Sequence, residues 1–120
     1  MNTKLKEICE ILNANCYEAN ASILELYKSL AKSLALVGTD WRPYVIEVFG
    51  YNRVVMSYLT TLIELTDGTK ILTSKYGMTV FKGDLRSVIE GHTALVITRE
   101  KSVSIVFYAP EDEEPEEESA

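Results

Sequence analysis

Residues 13–22 read NANCYEANAS, and whether the backbone stays helical through them decides what the first third of the chain builds. TKLKEICEIL (3–12) stands before this stretch and ILELYKSLAKSLALV (23–37) after it, with neither proline nor glycine from Thr3 to Val37. Ile8, Leu12, Cys16, Ala19, Ile23, Leu26, Leu30, Leu34 and Val37 recur at intervals of three and four, the period of a helix with one buried face. Leu5, Cys9, Leu24, Tyr27, Ala31 and Ala35 widen that face. The pattern predicts a long helix over 3–37. Asn13, Asn15 and Asn20 weaken it, because asparagine bonds the local backbone in competition with the helix. Ser22 and Glu25 have the spacing of a capping box, so two helices broken near Asn20 are the alternative. Gly38 reads as the stop.

Past GTDWRP (38–43) the apolar period changes from 3.6 to 2. Strands are expected over 44–49, 53–65, 69–74, 77–82, 93–99 and 102–109. LIELTDGTKIL (62–72) signals a hairpin, with Asp67 and Gly68 both at positive φ in a type I′ turn. GDLRSVIEGH (83–92) fits a short helix or a strand. Pro43 reads as the start of an edge strand. The sum is an α+β fold, a long N-terminal helix or two helices on one face of an antiparallel five- or six-stranded meander, with a disordered acidic tail. One domain accounts for the 120 residues: a helical segment 1–38, a sheet 39–109 and the tail 110–120.

Cys9 and Cys16 would lie on one helix face about 10 Å apart along the axis, too far for a bond within one chain. They read as small apolar residues. A bridge between two chains is the first alternative; a metal site is the second, disfavoured because His92 is the only histidine. Neither metal nor cofactor is expected. No apolar run nears the roughly 18 residues that cross a bilayer. The start, MNTKLKEICE, is charged where a signal peptide is apolar. The expected location is cytoplasmic, away from membranes.

The chain carries twelve basic and eighteen acidic residues, net −6. Glu111, Asp112, Glu113, Glu114, Glu116, Glu117 and Glu118 hold seven of those acids, which leaves residues 1–110 at +1. Such a body is no broadly basic surface. It does interleave aromatic and basic residues, in Trp41, Arg42, Tyr44, Tyr51, Arg53, Lys75, Tyr76 and Lys82. Ring faces stack on bases at about 1 to 3 kcal/mol each, and cations follow the phosphates. A sheet covered on one side by helix leaves its other face for that purpose. The eight residues are therefore the expected contact set for single-stranded DNA or RNA. The tail would compete with the polyanion or recruit a protein partner.

A second reading is a protein-interaction module, a regulator or inhibitor of a larger machine whose tail mimics nucleic acid. The stretch 53–65 is apolar on both strand faces, with Val54, Met56, Tyr58 and Leu62 on one and Val55, Leu59, Ile63 and Leu65 on the other, so a homodimer is expected to cover the outer one. The chain lacks a phosphate loop, a GxGxxG turn, a GxSxG elbow, an HExxH pair and paired CxxC motifs, so catalysis is not expected.

Overall fold

The computed structural model describes residues 2–20, 22, 25 and 41–112. The elements bounded within these residues are a short helix, α1 (Thr3–Leu12), and the strands β1 (Asn15–Glu18), β2 (Trp41–Phe49), β3 (Tyr51–Met56), β4 (Thr60–Leu65), β5 (Lys70–Ser74), β6 (Gly77–Lys82), β7 (Leu85–Glu90), β8 (His92–Thr98) and β9 (Ser102–Pro110). All pairings are antiparallel. They form a four-stranded sheet in the order β1-β2-β9-β8 and a five-stranded sheet in the order β3-β4-β5-β6-β7.

The expected helix through residue 37 on a single meander is thus overturned at its first break. Asn2 caps α1, its Oδ1 accepting from the Leu5 N–H at 3.0 Å. Leu5, Ile8, Cys9 and Leu12 form the buried stripe. Asn13 then takes the left-handed conformation (φ 52°), the Ala14 N–H bonds the Cys9 carbonyl at 3.0 Å, and the helix ends. Left-handed backbone costs asparagine little, because its short polar side chain bonds locally. The next residues extend as β1, so NANCYE is a helix stop followed by a strand. Of the second helical segment, Ser22 and Glu25 are helical; the rest of the expected helix, with the Gly38 stop, lies outside the described residues.

This break brings the cysteines together. Their Cα atoms lie 6.3 Å apart and the sulfurs are bonded. The expectation that they could not pair assumed a straight helix, and the turn at Asn13 folds Cys16 back beside Cys9. Closing so short a loop contributes about 2.5 kcal/mol in the chain-entropy account.

Further along, three readings change. The expected strand 53–65 is a hairpin, β3 and β4, turning at Ser57–Leu59, where the Ser57 N–H and Oγ both reach the Thr60 carbonyl. The turn after β4 is not type I′. Gly68 takes positive φ (+92°) while Asp67 does not, and the Asp67 carboxylate accepts from the Thr69 N–H at 2.9 Å. That backbone hydrogen bond holds Asp67 below the usual carboxylate range. Pro43 does not start an edge strand: it lies in β2, which pairs with β9 along its whole length and with β1 from Tyr44 to Glu47, and the Pro43 carbonyl accepts from the Ala19 N–H at 2.9 Å.

One core lies between the sheets. Tyr44, Ile46, Val48, Val103, Ile105 and Phe107 from the first sheet meet Ile63, Leu65, Ile71, Met78, Val80 and Ile89 from the second, and α1 adds Leu5, Ile8 and Leu12. Two glycines carry the chain between the sheets. Gly50 (φ +73°) joins β2 to β3; its N–H bonds the Lys101 carbonyl at 2.9 Å and its carbonyl accepts from the Thr66 N–H at 2.7 Å. Gly91 joins β7 to β8 against the ring of Phe107, where an added Cβ would sit 2.3 Å from Cζ and 2.6 Å from the Tyr108 carbonyl.

The two ends of the body are tied. The Asn2 side chain donates to the Pro110 carbonyl at 2.6 Å, and the Thr3 N–H and hydroxyl donate to Asp112. The buried Tyr44 hydroxyl donates to Glu111. The first two acids of the tail are therefore attached to the body; Glu113, Glu114, Glu116, Glu117 and Glu118 lie outside the described residues.

Gly91→Ala should destabilise the fold by at least about 2 kcal/mol, since neither the buried ring nor the backbone opposite can yield cheaply; chemical denaturation measures it. Burial raises the Tyr44 phenol above its ordinary pKa of 10.0, and the Glu111 carboxylate raises it further. A phenol whose pKa is higher folded than unfolded stabilises the fold below the unfolded value and withdraws that contribution as pH climbs past it. Tyr44→Phe should cost about 1 kcal/mol near neutrality and show a smaller loss of urea midpoint than wild type on passing above pH 10.0, the ordinary phenol value.

Candidate interaction surface

The inner face of the five-stranded sheet is core, and among the described residues nothing packs over its outer face. Register fixes what that face displays. Val55, Leu62, Leu72, Thr79 and Val88 are cross-strand neighbours in one unbroken row over all five strands. Val55 is 43% exposed, Leu72 37% and Val88 52%. On one side of this apolar row runs a row of large side chains, Arg53, Glu64, Lys70, Phe81 and Arg86. On the other runs a row of smaller ones, Thr60, Ser74 and Gly77, ending at Glu90. Within the large row, Arg53 Nη2 pairs with Glu64 Oε1 at 2.9 Å, Lys70 stands opposite Glu64 on its other side, and the Arg86 guanidinium lies 6.0 Å from the Phe81 ring centre.

The eight residues expected to hold nucleic acid are dispersed over the molecule. Tyr44 is buried, with its hydroxyl on Glu111. Tyr51 packs against the core and donates to the Arg99 carbonyl at 2.5 Å. Arg53 is paired with Glu64. Lys82 reaches across to the Ile11 carbonyl at 2.9 Å, fastening β6 to the end of α1. Arg42 is exposed on β2.

Trp41, Lys75 and Tyr76 do come together, around a cavity of about 370 Å³ completed by Glu90, Gly91 and His92. Tyr76 is 73% exposed, with the Lys75 ammonium 5.1 Å from its ring centre. The His92 ring is buried and its Nδ1 is 2.8 Å from the Lys75 carbonyl, so it braces the β5–β6 turn from beneath. A second cavity of about 330 Å³ adjoins Lys75 and is bounded by Tyr58, Leu59 and the start of β8. Tyr58 projects fully from the β3–β4 turn; a reading of 53–65 as one strand conceals it.

Among the described residues no three His, Cys, Asp or Glu side chains are placed to share a metal ion. No helix among them is long and apolar enough to cross a membrane. No protein-family model matches this chain, no curated protein matches it, and no solved structure matches it.

Proposed function

We propose that this chain is a non-catalytic protein-interaction module whose working surface is the outer face of the five-stranded sheet. The observation that carries the reading is the apolar row from Val55 to Val88. Aliphatic side chains that stay wholly or partly in water on four of the five strands, with Thr79 on the remaining one, forgo roughly 25 cal/mol per Å² of burial, and a contiguous patch of this kind marks a protein contact far more often than scattered exposed residues do. The neighbouring charges favour the same use. Arg53 pairs with Glu64, Lys70 is the cross-strand neighbour of Glu64, and Arg86 lies over Phe81, so this face is a mixed-charge border rather than a track for phosphates. The Cys9–Cys16 bond also favours an oxidising compartment over the cytoplasmic address expected from sequence, since cytosolic thiols are kept reduced.

Single-strand binding is a second reading, favoured by a different observation: Trp41, Lys75 and Tyr76 border one cavity, and Trp41 is the β2 partner of Pro110, from which the acidic tail departs. A competitor tail rooted there begins beside the rings it would shield.

A photo-crosslinking residue at Leu72 should give discrete protein adducts in cells that one at Glu10 on α1 does not, and Val88→Asp should suppress them; equal adducts at both positions, or none at either, overturn the interaction reading. Fluorescence anisotropy with a labelled oligothymidine tests the second reading. Salt-sensitive binding lost by roughly tenfold or more in Trp41→Ala/Tyr76→Ala supports it, and no binding at tens of micromolar protein rejects it.

A further inference from the structure

We infer that the occupant of the outer face is a second copy of this chain, packed face to face about a two-fold axis that runs along the apolar row. This names the partner of the interaction surface proposed above and rests on that reading.

The inference comes from self-complementarity. A homodimer interface must match itself, each patch meeting the same patch turned by 180°. A two-fold along the row lays Val55, Leu72 and Val88 on their own copies. It also places each residue of the large row against the small row of the same strand in the partner. On β6, Phe81 meets Gly77, a ring against a position with no side chain. On β5, Lys70 meets Ser74, and on β4, Glu64 meets Thr60. On β7, Arg86 meets Glu90, and because the axis repeats every contact, two such ion pairs close the same edge. The same rotation carries a twisted sheet into a surface parallel to itself, so the twist every sheet has leaves the two faces evenly spaced at about 10 Å.

The other in-plane axis fails on charge. A two-fold along the strands turns the large row onto itself, setting Lys70 against Lys70 and Arg53 against Arg86. Like charges brought together in an interface are strongly unfavourable. The distribution of side chains thus favours the axis along the row over the axis along the strands.

The face measures roughly 20 Å across five strands, and such a contact buries on the order of 1,000 Å² in total, below the roughly 1,200 to 2,000 Å² of stable interfaces and in the range of weak, transient ones. The dimer is therefore expected to be weak, its affinity set by side-chain fit and charge rather than by area.

Sedimentation equilibrium of the full chain tests the proposal. Wild type should show a concentration-dependent monomer–dimer equilibrium. Arg86→Glu and Glu90→Arg should each weaken it by roughly tenfold or more, with unchanged circular dichroism and melting temperature. The two variants mixed should form a heterodimer, since one then presents two carboxylates at positions 86 and 90 to the two guanidinium groups that the other carries at the same positions. A wild type that stays monomeric at hundreds of micromolar, a dimer that survives both charge reversals, or a mixture that does not pair overturns the inference. If adducts still form at Leu72 in cells while the purified chain is monomeric, the surface binds a different protein and only the choice of occupant falls; if both experiments are negative, the interaction reading falls with it.

Discussion

The contact between Phe107 and Gly91 holds the two sheets in one body. Phe107 is fully buried in β9, the strand that lies between β2 and β8 in the first sheet. Gly91 is the residue at which the chain, having completed the whole second sheet, returns to the first. For β8 to pair with β9, the backbone has to pass close against that ring at Cζ and Cε2, and only a residue without a Cβ lets it do so. The β2–β3 crossing at Gly50 sets how the second sheet begins; the crossing at Gly91 sets where it must end. The burial of Ile63, Ile71 and Val80 against Ile46 and Ile105 depends on both.

The β-rich part of the chain was largely legible in the sequence because strand composition is a local signal. Residues 44–49, 77–82 and 102–109 are short runs rich in β-branched and aromatic side chains, and each lies in a strand. What failed there was the location of turns. The stretch 53–65 has apolar residues on both faces and carries neither glycine nor proline to mark its bend, so Ser57 and Tyr58 read as strand. The N-terminal third failed for the opposite reason. Cys16 and Ala19 fall on the helical period of α1 by coincidence, and the period outweighed three asparagines. At Asn13 a left-handed backbone overrides the periodicity. A distance measured along one helix discounts the cysteine pair that pins this turn, yet the helix ends before the second cysteine.

The candidate surface was less legible than the fold, and the reason is register. Residue types along one strand say which positions alternate but not which residue of the next strand lies beside them. Val55, Leu62, Leu72, Thr79 and Val88 come from five strands and form a row only once four pairings are fixed. Judging exposure from type alone also misassigned rings and cations: Tyr44 and Tyr51 pack in or against the core, and Lys82 ties α1 to β6. Lys75 and Tyr76 were recognisable because they sit in a tight turn, where side chains have little choice but to project.

The tie between Asn2 and Pro110 has a topological consequence. The backbone enters and leaves the folded body at one place, on adjoining residues, with the outer face of the five-stranded sheet formed entirely by chain in between. A unit built in this way resembles a bead threaded at a single point. Spliced into a surface loop of a larger protein, it would ask the host to bring two strands of its own backbone to within one side chain and a hydrogen bond of each other, at little cost in loop entropy, and it would carry its five-stranded sheet into that host intact.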